Sequence, residues 1–359
     1  MGISKRIKKS WLDWLEHERI QLARPDAPMH LALVGLITGF LAGGVIILFR
    51  LIVEGTQDYL LPGSGSDNYE ALDLLGRFMY PVIGGILLAL LFYFHAGNQR
   101  VLGIAKVIDR LTYHQGYFSL RGFLLQFFGA AIAIICGHSV GREGPHVYLG
   151  ASISSLFAQS ISLPNNSIRT MVACGAAAGV AAAYGAPIAG AVFVAEIVLG
   201  TMTMSSFGPL LMAAVSAHLT MRMLGGYHAP YEMTNVQAVA GWDILPFLVL
   251  GVLIGLAAPA FLKLLNLFRT LFKRTGLGLP LRLALGGLLL GLLLIVMPRV
   301  AGNGFSVVSS MLHSDWADLK FLAGSISGSD ADRIGGLMDG MRGDGMRISW
   351  IGFANSDGI

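Results

Sequence analysis

Residues 141–145 read Gly-Arg-Glu-Gly-Pro and set an arginine and a glutamate side by side between two long apolar runs. An ionisable pair is costly in such company, so the residue types point to a task. Proline suits the first turn of a helix, where its missing N–H would be unpaired anyway. Pro145 therefore predicts a helix start, and Gly141 and Gly144 let the backbone turn tightly before it. A helix beginning at membrane depth carries unpaired N–H groups and about half a positive charge at its tip, and such a tip attracts an anion. Glu143 would be an anion on a tether there: blocking the site when charged, leaving it when protonated, and so acting as a gate, a proton carrier, or both. Arg142 adds positive potential or reaches to an interface. Without transport, the pair would only plug a break in a helix.

The elements that must position this motif are membrane helices. The 359-residue chain is 54% hydrophobic and 13% charged, against about 25% charged in soluble domains. Apolar runs lie at 31–53, 78–94, 122–136, 171–195, 207–217, 244–262 and 283–297. Several are short or broken by Gly and Pro, which suggests tilted or discontinuous helices. The 47 glycines fit close helix approach in a bilayer. The pattern predicts an all-α polytopic membrane protein.

Lys5, Arg6, Lys8, Lys9, Arg19 and Arg24 precede the first span, which by the positive-inside rule puts the N-terminus in the cytoplasm. Glu54, Asp58, Asp67, Glu70 and Asp73 follow it, as expected on the far side. Nothing at the N-terminus reads as a cleaved signal. Residues 10–21 place Trp11, Trp14 and Leu15 on one helical face, predicting an interfacial helix within a segment 1–30. Cys136 and Cys174 lie inside apolar segments and have no metal-ligand spacing around them.

The chain also echoes itself. VGLITGFLAGGVIILFRLI (34–52) is matched by LGVLIGLAAPAFLKLLNLFRTL (250–271), PVIGGILLALL (81–91) by LALGGLLLGLLL (283–294), and HAGN (95–98) by VAGNG (300–304), in the same order and roughly 205 to 215 residues apart. Such duplication is a mark of transporter folds, with the site near the midplane where the repeats meet. It divides the chain into a first membrane repeat, 31–205, a partial second one, 206–320, and a polar tail, 321–359, read as disordered. The duplicate of 141–145 should fall near 345–355, where the sequence is instead GMRISWIGFAN. The second repeat is therefore read as incomplete.

GREGP, followed by an apolar helix and by GAAAGVAAAYGAPIAGAVFVAE (175–196), resembles the CLC family of chloride channels and chloride/proton antiporters over about residues 30–316. The resemblance implies an inverted repeat of tilted and broken helices, an inner (plasma) membrane location and a homodimer with one anion pathway per subunit. It makes Glu143 the gating, proton-linked residue. The anion site would be built from Gly141, Arg142, Glu143, Gly144 and Pro145, with Gly103 and Ile104 from the family's first anion loop. This chain departs from the pattern in three places. Leu102 stands where that loop usually has serine, Ile197 replaces the internal proton-transfer glutamate that would follow Glu196, and the third anion loop has no counterpart. The expected partners are chloride, the bilayer and, in an antiporter, protons.

Channel, antiporter and non-conducting fragment remain open at this point. Ile197 favours a channel, and the missing loop predicts that the chain as it stands forms no working pathway. Enzyme readings fare worse. Adjacent His138 and Ser139 cannot readily face each other as base and nucleophile, and no G-x-S-x-G context exists. His138, Glu143 and His146 lack a closing shell of metal ligands. No catalytic residue, metal, cofactor or nucleic-acid partner is expected.

Overall fold

The computed structural model describes residues 28–62, 67–95, 102–200, 204–224, 244–304 and 308. The predicted interfacial helix at 10–21 and the polar tail lie outside them. The chain divides into two compact units, Met1–Pro230 with Gln237–Asn303, and Tyr231–Val236 with Gly304–Ile359. The first carries every element below, and its described residues form no strand.

Among the described residues ten α-helices follow one another: α1 (Pro28–Leu60), α2 (Leu74–His95), α3 (Ile104–Tyr113), α4 (Leu120–Ile135), α5 (Glu143–Ser160), α6 (Asn165–Tyr184), α7 (Pro187–Phe193), α8 (Met204–Met223), α9 (Ile244–Arg274) and α10 (Leu279–Val296). Segments of α1, α2, α6, α9 and α10 are long and apolar enough to cross a bilayer. At 33 residues α1 is about 50 Å long, well beyond the roughly 30 Å hydrocarbon layer. Its last turns therefore carry Glu54 and Gln57 beyond the apolar run 31–53.

The apolar run 171–195, continuous in sequence, is broken in space. Gly185 adopts the left-handed conformation (φ 65°) at the end of α6. Pro187 then opens α7, which widens into a π-type turn over Val194–Leu199 holding Glu196 and Ile197. Both of those side chains are exposed. Turns of this kind inside helices often mark functional sites.

Glycine rows decide which helices touch. Along α1, Gly35, Gly39 and Gly43 lie against Pro209, Ala213 and Ala217 of α8; a Cβ on Gly35 would stand 2.7 Å from the Pro209 carbonyl oxygen. Gly150 of α5 and Gly175 of α6 meet backbone to backbone in the same way. Serines on α5 satisfy their hydroxyls locally, as burial demands: Ser152 Oγ donates to the Tyr148 carbonyl at 2.6 Å and Ser154 Oγ to that of Gly150 at 2.8 Å.

The echo between 81–85 and 283–287 has a spatial counterpart. Gly85 of α2 and Gly287 of α10 occupy the same place in the two motifs, and each would drive a Cβ to 2.9 Å from the other's Cα. Equivalent residues meeting each other is what an approximate two-fold axis produces. Among the described residues, the partnership of α1 is not repeated: Gly251 and Gly255 of α9, the counterparts of Gly35 and Gly39, meet none of them within 4 Å, and none of α9's apolar stretch is buried.

Candidate functional site

The helix at the motif starts earlier than its proline suggests. Glu143 is the first residue of α5 and Arg142 its N-cap, so Pro145 lies third in the first turn. A proline is harmless there for the same reason as at the first position, since none of these N–H groups has a carbonyl one turn back. The His146 N–H closes the first turn onto the Arg142 carbonyl at 3.1 Å. Glu143 thus projects from the helix tip itself, not from the loop before it.

A second helix start lies alongside. Gly103 caps α3 with φ 79° and ψ −160°, a conformation that needs glycine. A Cβ built on it would be 3.9 Å from the Gly144 Cα, and one on Gly144 would be 3.8 Å from the Gly103 Cα. The two tips therefore touch through bare backbone. The Gly103 N–H donates to Gln126 Oε1 of α4 at 3.1 Å, so the amides of α3 with no intrahelical carbonyl begin at Ile104. Leu102, where the resemblance calls for serine, packs against the core. Gly103, Ile104, Gly141, Arg142, Glu143, Gly144 and Pro145 are thus brought to two adjoining helix starts.

The two charged residues of the motif do not pair with each other. Arg142 Nη1 lies 3.2 Å from Glu54 Oε1 and Nη2 lies 3.0 Å from Asp67 Oδ2. Glu54 is also held by Arg50 at 3.1 Å. Gln57 Nε2 donates to Asp67 Oδ1 at 2.8 Å and to Tyr69 Oη at 2.7 Å. Tyr69 Oη donates to the Ile134 carbonyl at 2.6 Å, at the end of α4. Burial pushes the Tyr69 phenol above its ordinary range, so it remains a donor. Gly137 (φ 74°) admits that ring: a Cβ there would be 3.0 Å from Tyr69 Cε1. Two of the acidic residues that the sequence reads as a far-side loop, Glu54 and Asp67, therefore form a clasp with Arg142. It ties the start of α5 to the ends of α1 and α4 and leaves the Arg142 guanidinium facing two carboxylates.

This clasp is mostly shielded, with side-chain exposures of 15% for Arg142 and 12% for Asp67. Replacing Arg142 by leucine is expected to destabilise the protein by about 2 kcal/mol, because it leaves two part-buried carboxylates facing one another. Lys106→Ala removes the partner of Asp109, a pair 21% and 36% exposed, and should change stability by less than about 0.5 kcal/mol. Unfolding in mixed detergent micelles measures both. Equal effects would mean that the clasp is no more than a surface pair.

Glu143 has a partner of its own, one that the sequence reading missed. Tyr184 Oη donates to Glu143 Oε1. The other carboxylate oxygen, Oε2, lies where a Cβ on Gly141 would project. The carboxylate is thus folded back over the helix tip and capped by a phenol from the end of α6. No spacing rule links residues 41 apart. The available signal was compositional: GAAAGVAAAY ends a helix of Ala and Gly in one large, polar-tipped side chain.

The residues weighed for hydrolysis go elsewhere. Ser139 Oγ donates to the Val300 carbonyl. His146 is buried, with its ring edge-on to Phe49 at 5.7 Å between centroids. His138 lies against Gly84 of α2, where a Cβ would be 2.7 Å from its Cε1.

Residues 83–327 match the family model described as voltage gated chloride channel. The chain is 39% identical over 295 residues to a "chloride channel protein ClcB-like" of Ralstonia nicotianae, covering 80% of this chain and 68% of that one. It is 35% identical over 293 residues to the voltage-gated ClC-type chloride channel ClcB of Escherichia coli K12, covering 79% and 69%. Among solved structures, a CLC-type fluoride/proton antiporter superposes with a TM-score of 0.66 at 26% identity, over 80% of this chain and 71% of that one. A slow cyanobacterial Cl−/H+ antiporter shares the fold, with a TM-score of 0.63 at 22% identity over 80% and 67%. With its broken helices, its paired repeat-mates and the motif at a helix tip, this multi-pass membrane chain belongs to the CLC family of voltage-gated chloride channels.

Proposed function

We propose that this protein conducts chloride across the bacterial inner membrane through a pathway gated by Glu143, with its N-terminus in the cytoplasm and two copies forming a homodimer. The observation that carries the reading is the Glu143 carboxylate lying over the start of α5, where α3 also begins. Helix starts favour an anion through their unpaired N–H groups and dipole, and a tethered carboxylate competes with a mobile anion for that place. Protonation removes its charge and its claim on the site. Gly141, Gly144 and Pro145 shape the tip, and Ile104 offers the free amide of the neighbouring helix. Arg142 contributes through its backbone and its clasp, since two carboxylates offset its charge.

Channel conduction is favoured over coupled exchange by Ile197, an alkyl side chain that cannot take up a proton where the family's antiporters carry an acid. The test is purified protein in liposomes, with chloride efflux and proton uptake recorded together. Chloride efflux without proton uptake at a fixed ratio is expected; a constant ratio would establish an antiporter and another internal proton acceptor.

A non-conducting membrane subunit is the second reading, favoured by the bare apolar face of α9. A bare anion at membrane depth costs several kcal/mol even after relaxation, while one helix terminus contributes at most about 2 kcal/mol. Two tips are a thin foundation. Running the same assay on this chain and on one continued after Trp316 by a matching family sequence separates the readings. Flux from the extended chain alone would favour this second reading, and selective, saturable flux from this chain would rule it out in favour of the first.

A further inference from the structure

We infer that Tyr184 is a latch for the gate: its phenol holds the Glu143 carboxylate on the helix tip against displacement by a mobile anion. The inference rests on the reading of Glu143 as a gate and adds a positioning residue to it. Three observations carry it. Among the described residues, Tyr184 Oη is the one hydrogen-bond partner that Glu143 has, although the clasp stands at the preceding residue. The carboxylate is otherwise only laid over Gly141, whose missing side chain makes room for Oε2. The phenol also comes from a fixed post. Tyr184 is the last residue of α6, followed at once by the left-handed Gly185 and by Pro187 at the start of α7, and a tyrosine has few rotatable bonds to lose.

The surrounding sequence makes the choice of side chain informative. From 175 to 184 nothing is larger than valine until Tyr184, because α6 must pack its backbone against Gly150 and His146 of α5. An aromatic ring without a hydroxyl would fill the helix end equally well. The hydroxyl adds a donor aimed at the carboxylate, and a hydrogen bond to an ionised acceptor is stronger than one between neutral groups. When Glu143 is protonated, that advantage is lost and the latch opens along with the gate.

The test measures chloride affinity by calorimetric titration of the purified chain as it exists, in four forms: native, Tyr184→Phe, Glu143→Gln and the double variant. Removing the hydroxyl should raise affinity by about tenfold, the scale of a hydrogen bond to a charged group. Glu143→Gln should raise it at least as much, and the double variant should match Glu143→Gln, because the phenol acts only through the carboxylate. If Glu143→Gln raises affinity and Tyr184→Phe does not, the latch is wrong and the gate stands. An equal gain from Tyr184→Phe in both backgrounds would also overturn the latch, since the ring would then act on the anion directly. No gain from Glu143→Gln would remove the gate and the latch together.

Discussion

Chloride flux through Glu143→Gln, measured in liposomes on the chain continued after Trp316, should lose its dependence on external pH. Glutamine keeps the length and hydrogen-bonding tip of the side chain but never carries the charge that competes for the helix start. At alkaline pH, where the native carboxylate blocks, flux should rise by about tenfold, the scale on which a helix terminus holds an anion. At acid pH the two proteins should converge. Glu143→Ala should behave like Glu143→Gln, since both remove the charge and only the alanine removes the bulk. Agreement between the two separates loss of a blocking anion from loss of a space-filling side chain. If pH-dependent flux persists unchanged in Glu143→Gln, the gate must lie elsewhere, and the carboxylate over Gly141 would be structural.

How much of this was legible in the sequence follows from which interactions are local. The motif at 141–145 depends on backbone rules that act within one turn, and its placement at a helix tip could be read directly. The start of the helix shifted by two residues because proline is equally acceptable throughout the first turn, so Pro145 marks that turn and not its first position. The break at Gly185 was harder to see, since 171–195 is one apolar run and hydropathy does not register a left-handed residue. The clasp was out of reach. Arg142 meets Glu54 and Asp67 across 88 and 75 residues, and in sequence those acids are indistinguishable from a solvated loop. The phenol on Glu143 was hidden for the same reason. The glycine rows were visible as spacing, yet spacing alone could not say that Gly39 is covered and Gly255 is bare.

That last difference yields a large expected effect on stability. A leucine at 39 would have to place its Cβ within the space of the Ser216 hydroxyl and the Ala213 backbone on α8. Backbone cannot yield as a long side chain can, so α1 and α8 would be forced apart along a contact that also includes Gly35 and Gly43. Overpacking of this kind is expected to cost about 3 kcal/mol or more. The same substitution at 255, the matching place in the second repeat, meets none of the described residues within 4 Å. There leucine replaces a poor helix former with a good one, and stability should stay level or rise by about 0.5–1 kcal/mol. Reversible unfolding of the two variants in mixed detergent micelles, followed by far-ultraviolet circular dichroism, measures the contrast. A large loss at both positions would mean that α9 is covered in the folded protein by a neighbour pressed against Gly255. A large loss at 39 alone would show that the duplicated glycine row is used once, by α1 on α8, and that its copy on α9 has room for a side chain.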